Sequence, residues 1–323
     1  MTRVQPLENG FIAIAYQTVS IPVKKPDAAA VRMLFLIGLA FALTFVFNRL
    51  AITNGVPLIP YVFWQALGGA LLLLIACSAT GQLLTVSPKF FRVYFLTGLF
   101  NVCLPVLVLS FVAPRVPSGI LSLGLMLIPL MIYVLALVLG MDQFRLVRLV
   151  GILLGLIGVL FVLLPQASLP SSDMVGWVLL GLLAPLCYAI GAILMAWLQP
   201  PAAKSLPLAF GLLMASAIIM AAVMVVTGSW WFFEGRFATG QKAVIGAMAN
   251  QAVIFVLMFE IIKRAGPVFF STSNYIATLA GVGLGILLFG DKPSLWIWAA
   301  LLLMFMGLFC VNLIGPLERG ARS

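Results

Sequence analysis

The distribution of apolar and polar residues along the chain is dominated by long apolar runs. One run begins after Pro117 and ends at Gly140, and a second follows the short polar turn 141–145 and reaches Pro165. Each is long enough to cross a hydrocarbon core of roughly 30 Å as a helix. The turn is too short to hold a domain, so this stretch predicts a transmembrane helical hairpin.

Eight further apolar runs have the same character, which gives an all-α integral membrane protein with ten predicted spans. The predicted spans are 32–52, 59–79, 91–112, 118–140, 146–165, 174–198, 206–227, 242–262, 267–289 and 295–314. Residues 1–31 are a polar N-terminal tail without a secretory signal pattern, and the linker before the sixth span contains Pro and Ser. We therefore expect a tail at 1–31 and two five-helix units at 32–165 and 174–315.

An internal repeat relates the two units at a constant offset of 149 residues. The matching pairs are Asn101 and Asn250, Arg115 and Arg264, Ser122 and Ser271, Asp142 and Asp291, and Gly158 and Gly307. A constant offset over three consecutive helices indicates a duplication. Because five spans is an odd number, the second unit is expected to be inverted relative to the first.

The paired hairpins, each with a short acidic turn followed by a glycine-rich run, resemble the EamA-like family of the drug/metabolite transporter superfamily. The resemblance covers about residues 32–315, and the turn 140–142 departs from the usual Gly-Glu form. It implies export of amino acids, metabolites or drugs through a central cavity. It also implies that the fifth and tenth helices lie at the periphery.

Composition agrees with a membrane protein, since 64% of residues are hydrophobic and only 8% are charged. The net charge of +10 comes from basic residues that flank apolar runs, which is a topology signal and not a nucleic-acid surface. With the N-terminus inside, 13 of the 18 Lys and Arg residues fall on the inner side. The positive-inside rule then favours cytoplasmic termini, in what we expect to be a bacterial inner membrane.

Chemistry within the membrane is limited to uncharged groups. Histidine is absent, and no acidic residue lies near the middle of a predicted span, so an intramembrane enzyme is disfavoured. Polar groups inside a bilayer are costly and are functional candidates, although interhelical hydrogen bonding is the ordinary alternative. The candidate substrate-binding residues are Asn101, Asn250, Gln251, Trp64, Gln65, Tyr188, Ser122, Ser271, Asn274 and Tyr275.

The sequence therefore favours a secondary transporter of small organic solutes, with a channel or a flippase of lipid-linked substrates as the alternative. We expect a small-molecule solute and membrane lipids as partners, and neither a cofactor nor a metal nor nucleic acid. Substrate identity, direction, energy coupling and the choice between a monomer and a homodimer stay open.

Overall fold

The computed structural model describes residues 26–82, 87–112, 127–141, 144–163, 175–200, 202–233 and 238–289, and five single positions at 299, 302, 303, 306 and 307. Every regular element in this part of the chain is helical. The helices are α1 (Ala28–Thr53), α2 (Leu58–Ala79), α3 (Pro88–Gly98), a π-helical segment (Leu99–Cys103), α4 (Leu104–Val112), α5 (Ile128–Val138), α6 (Leu146–Leu163), α7 (Val175–Gly181), α8 (Leu183–Leu198), α9 (Ser205–Thr227), α10 (Thr239–Ser271) and α11 (Ser273–Phe289).

Six helical stretches are long and apolar enough to cross a membrane by length and composition. They are 28–53, 58–79, 88–109, 179–198, 205–227 and 239–271. Shorter apolar helices cover Ile128–Val138, Leu146–Gly158 and Ser273–Leu288. The prediction of an all-α, multi-pass protein is therefore confirmed. Most of the tenth predicted span and the start of the fourth lie outside the described residues.

Prolines explain two of the irregularities inside the spans. Pro105 has no N–H to donate to the carbonyl one turn earlier, and the preceding turn widens, so that the Leu104 N–H bonds to the carbonyl of Leu99 five residues back. Pro185 acts similarly in the sixth predicted span, where the helix is interrupted by a turn at Leu182. Both irregularities lie within spans, where π-turns and kinks re-aim side chains.

Gly266 separates the eighth and ninth predicted spans. Its backbone has φ 84° and ψ 169°, a conformation that an L residue rarely adopts, and Pro267 follows it. A second break, at Thr272, lies six residues after Gly266 and was not predicted. The predicted ninth span, 267–289, therefore begins with about one and a half helical turns at the end of α10. The break at Thr272 follows, and α11 forms the rest of the span.

The packing of the helices follows an alternating pattern between the two halves of the chain. Helix α2 packs along α9, and both of these helices also contact α10. Helix α1 packs against α10 and α11, whereas α8 packs against α3, the π-helical segment, α4 and α5. Each half therefore places its first helix against the third and fourth helices of the other half.

Large apolar side chains cover much of the outer surface of the bundle. Val226 is 86% exposed, Leu287 80% and Ile75 66%. A soluble monomer rarely exposes contiguous apolar area on this scale, whereas hydrocarbon solvates it at no cost. The surface thus fits a bilayer, and the polar contacts lie inside the bundle and at its ends.

The two ends of the bundle differ in chemistry. The end that contains the start of α2 and the 229–233 loop is called here the Trp64 end; the other, near the break at Gly266, is called the Glu260 end. Gln241 and Glu260 on α10 are 19 residues apart, about 28 Å along a helix. The Trp64 end and the Glu260 end therefore lie at opposite ends of the bundle along the axis of α10.

Candidate functional site

Asn250 joins α10 to the middle of α1. Its side-chain Nδ2 donates to the backbone carbonyl of Ala40 at 2.8 Å and to the hydroxyl of Thr44 at 2.9 Å. Ala40 lies 12 residues into α1, about 18 Å from its start, so the contact is near the middle of that helix. The amide thus holds two spans from opposite halves together at mid-depth.

Asn101 makes the corresponding contact in the other half. It lies in the π-helical segment, is buried, and donates from Nδ2 to the carbonyl of Thr97 at 2.9 Å. The same side chain packs on Gly191 of α8, where an added Cβ would lie only 2.4 Å from Nδ2. The absence of a side chain at Gly191 is what lets α8 approach the π-helical segment at this point.

The break at Thr272 concentrates hydroxyl groups within the bundle. Ser271 donates to the carbonyl of Val268 at 2.8 Å, whereas the buried hydroxyl of Ser273 has no hydrogen-bond partner. The side chain of Asn274 donates to the Ser271 carbonyl at 3.0 Å. Gly38 of α1 packs against this segment, which places the break near the middle of α1. Discontinuous helices at this depth are the usual setting of transporter binding sites.

Tyr275 points away from the Asn250 contact, toward α6. Its hydroxyl lies 3.4 Å from the carbonyl of Ile152, and its ring packs on Gly155. Gly307 approaches the same helix, because an added Cβ there would be 2.5 Å from the Gly151 carbonyl oxygen. The fifth predicted span is thus in contact with parts of the ninth and tenth.

Trp64 belongs to an aromatic cluster at the Trp64 end. Its indole Nε1 donates to the carbonyl of Trp231 at 3.0 Å, and its ring meets those of Phe63 and Phe233 edge-on at 5.2 and 5.1 Å. Trp230 and Phe232 stack beside it and are more than half exposed. The loop after α9 therefore packs against α2 through this hydrogen bond and these ring contacts.

The other predicted site residues are scattered over the bundle. Gln65 and Gln251 are buried on α2 and α10, and Tyr188 is half-buried on α8. Ser122 lies outside the described residues. The structure thus brings Asn250 to α1, Asn101 to α8 and Tyr275 to α6, and the assignment of these residues to one substrate site stays a prediction.

Charged side chains gather at the Glu260 end. Arg264 donates from Nε to Glu260 at 2.6 Å and pairs with Asp27 at 3.2 Å. The Ser205 hydroxyl donates to the second oxygen of Glu260 at 2.6 Å, and the Lys263 ammonium to the carbonyl of Ala203 at 2.9 Å. A hydrogen bond from the Ala30 amide, together with the nearby Arg264 guanidinium, lowers the pKa of Asp27. These contacts tie the starts of α1 and α9 to the end of the eighth predicted span.

Several residues of interest were not predicted. Tyr61 and Gln241 are buried at the Trp64 end, and each has an oxygen atom without a hydrogen-bond partner in the described part of the chain. Their polar type near a span end was a weak signal, because interfacial polar residues are common. Among the described residues, no group of three or more Cys, Asp or Glu side chains could hold a metal ion. Asp142 and Asp291 lie outside the described residues.

These features define a class: a multi-pass helical membrane protein with polar contacts buried between spans. Residues 29–164 match the profile of the EamA-like transporter family, which is part of the drug/metabolite transporter superfamily. The resemblance inferred from the paired hairpins is confirmed over these residues. Members of the family are membrane transporters of small solutes.

The fold is shared with a protein of known crystal structure. The two chains superpose with a TM-score of 0.70 and 18% sequence identity, over 87% of this chain and 98% of the other. At this identity the likeness shows the fold alone. No curated protein matches the chain.

Proposed function

We propose that this protein is a secondary transporter that exports small organic solutes through a cavity between two inverted five-helix repeats. The repeats are residues 32–165 and 174–315, and Asn101 and Asn250 flank the cavity from opposite halves. The solutes are of the amino-acid, metabolite or drug class, and no catalytic step is part of the proposal.

The observation that carries the proposal is the equivalence of the two asparagine contacts. Asn250 lies 149 residues after Asn101, and position 42 lies 149 residues before Gly191. Asn101 packs on Gly191, and Asn250 bonds to Ala40 and Thr44, which lie two residues on either side of position 42. The two asparagines therefore lie against equivalent positions of the first helix of the opposite half, Asn250 through hydrogen bonds and Asn101 through packing.

The packing of whole helices supports the same arrangement. At the 149-residue offset, α1 corresponds to α8, and α10 and α11 correspond to the third and fourth spans of the first half. The contacts of α1 with α10 and α11 therefore match the contacts of α8 with those two spans. Helices α2 and α9 are each other's counterparts at this offset, and they pack against each other. Inverted repeats of this kind permit alternating access, because one bundle can rock against the other about a central site.

Flux measurements on reconstituted protein test the proposal. Proteoliposomes are loaded with one solute at a time from a panel of amino acids, metabolites and drugs. Solutes of one class should leave them faster than they leave liposomes that hold the same solute but lack the protein. Counterflow, in which an internal excess of unlabelled solute drives uptake of labelled solute, identifies a carrier. Release without counterflow would replace the carrier with a channel, and no solute-dependent release would refute the proposal.

Substrate protection tests the position of the cavity. A cysteine at position 101 or 250, in a chain whose native cysteines are replaced by alanine, should react more slowly with a maleimide when the transported solute is present. Equal rates with and without the solute at both positions would remove these residues from the substrate path.

The proposed topology places both termini and the Glu260 end in the cytoplasm. The excess of Lys and Arg in those segments supports it. Reporter fusions after Gln241 and after Ser323 should then report opposite sides of the membrane. Both fusions reporting one side would contradict the ten-span arrangement.

A further inference from the structure

Three buried oxygen atoms that have no hydrogen-bond partner among the described residues lie at the Trp64 end of the bundle. They are Tyr61 Oη, Gln65 Oε1 and Gln241 Oε1, in side chains that belong to residues only 2%, 7% and 6% exposed. An unpaired buried polar atom costs on the order of 1–3 kcal/mol, so each needs a donor that the helices do not supply.

Helices α2 and α10 place these residues along one shared interface. Tyr61 and Gln65 are one turn apart on α2, and the same face continues to Gly68 and Gly69. Gly68 and Gly69 pack closely on Met248 of α10, where an added Cβ would lie 2.2 and 3.1 Å from its atoms. The Tyr61 and Gln65 oxygens therefore lie nearer the start of α2 than this tight contact with α10 does.

Gln241 approaches the same region from the start of α10. Its neighbour Gly240 packs against Asn54 and Val56, in the turn that leads into α2. Since α2 and α10 both begin at this end and run in the same direction, Gln241 is near the level of Tyr61. Trp231, bonded to Trp64, lies over α2 at this end.

We propose that this region, bounded by Tyr61, Gln65, Gln241 and the Trp64–Trp231 contact, is an entry subsite for an uncharged group that carries N–H beside C=O, such as an amide. The inference rests on the proposed transport function. Amide and phenol oxygens accept N–H bonds, and the Tyr61 hydroxyl can donate to a carbonyl.

Among the described residues around the subsite, no carboxylate supplies a countercharge, which favours an uncharged ligand over an ammonium ion. None of the residues named for the subsite carries a charge, and the nearest described ionic side chain in sequence, Lys242, is exposed and cationic. A buried ion without a partner is far more costly than a buried amide with its hydrogen bonds made. The subsite therefore selects hydrogen-bonding capacity and not charge.

Binding to the full-length purified protein tests the subsite with three probes of similar size. Benzamide has both N–H and C=O, methyl benzoate lacks the N–H, and benzylamine is cationic. Benzamide should bind about tenfold more tightly than either of the others, because a site built for N–H donors leaves its oxygens unpaired with the ester. Equal affinity for benzamide and methyl benzoate would overturn the proposal.

Gln65→Met removes the acceptor and keeps the length of the side chain. We expect it to weaken benzamide binding about tenfold and to leave methyl benzoate unchanged. Gln199→Met is the matched control, because both amide atoms of Gln199 also lack partners but lie at the opposite end of the bundle. An equal loss of benzamide binding in both variants would refute the location.

Thermal unfolding without a probe supplies the second measurement. Because Gln65 Oε1 is unpaired in the structure, Gln65→Met should keep or raise the melting temperature. A lower melting temperature would mean that Gln65 already has a structural partner and would overturn the subsite. Benzamide binding that depends on Gln65 but gives no flux in proteoliposomes would refute transport and leave the subsite standing.

Discussion

The contact between Asn101 and Gly191 gives the sharpest test of how the two halves meet. In Gly191→Ala the new methyl group would lie 2.4 Å from Nδ2, 2.5 Å from Cγ and 2.6 Å from Oδ1 of Asn101. All three distances are shorter than any ordinary van der Waals contact. The asparagine or one of the two helices has to move.

Two opposing effects set the magnitude. Inserting a methyl group into a packed interface costs about 1–3 kcal/mol. Replacing glycine by alanine inside a helix stabilises it by up to about 1 kcal/mol. The clash dominates, so Gly191→Ala should lower the free energy of unfolding by up to about 2 kcal/mol.

The effect of Gly191→Ala on the free energy of unfolding should change sign when Asn101 is replaced by alanine. In an Asn101→Ala background the methyl group at position 191 has no amide to meet, so only the helix propensity remains. Gly191→Ala should then stabilise the protein by up to about 1 kcal/mol. The coupling between the two sites is the difference between the two backgrounds, about 1–3 kcal/mol.

Equilibrium unfolding of the four proteins in mixed detergent micelles measures this cycle. Gly283→Ala is the control, because no heavy atom of the described residues lies within 4 Å of a Cβ at that position, and it should be neutral or stabilising in both backgrounds. If Gly191→Ala has the same effect with and without the Asn101 amide, the two residues are not in contact and the symmetric pairing fails.

Two further contacts carry predictions of their own. Gly155→Ala should destabilise by about 1–3 kcal/mol, because its methyl group would lie 2.4 Å from the ring of Tyr275, and Tyr275→Ala in the same chain should remove most of that penalty in unfolding experiments. Arg264→Gln should change stability by less than about 1 kcal/mol at low salt, since the Glu260 pair is partly exposed, and should abolish the stability difference between 0.05 and 1 M NaCl. A salt dependence that survives Arg264→Gln would contradict the second expectation. The pKa of Asp27 is lowered in the folded protein, so its contribution is present at neutral pH and should be lost as the pH falls through that lowered pKa.

The sequence predicted those features that depend on local pattern. Apolar runs marked the spans, and the predicted ninth span begins at Pro267, directly after the positive-φ residue Gly266. Irregular turns lie two to six residues before Pro105 and three residues before Pro185, inside the third and sixth predicted spans. The break at Thr272 has no glycine or proline of its own and was missed.

Contacts between distant segments could not be predicted from the same patterns. The aromatic run 230–233 follows the seventh predicted span, but nothing in it indicated that the Trp231 carbonyl would bond to Trp64, 167 residues earlier. The repeat paired Asn101 with Asn250 without indicating which helices they would meet. Such partners depend on the crossing of helices, which the positions of small residues allow but do not determine.

The two ends of the bundle have diverged at equivalent positions. Glu260, which bonds to Arg264, corresponds to Phe111 at the 149-residue offset, and Asp27 corresponds to the residue before Trp177. Phe111 and Trp177 meet through their rings at 5.9 Å. Two identical halves would make the inward-open and outward-open states equal in energy. In the inverted-repeat arrangement proposed above, the contact at one end is ionic and the contact at the other end is aromatic, so added salt weakens only the first. We then expect the resting orientation of the proposed carrier to depend on salt concentration.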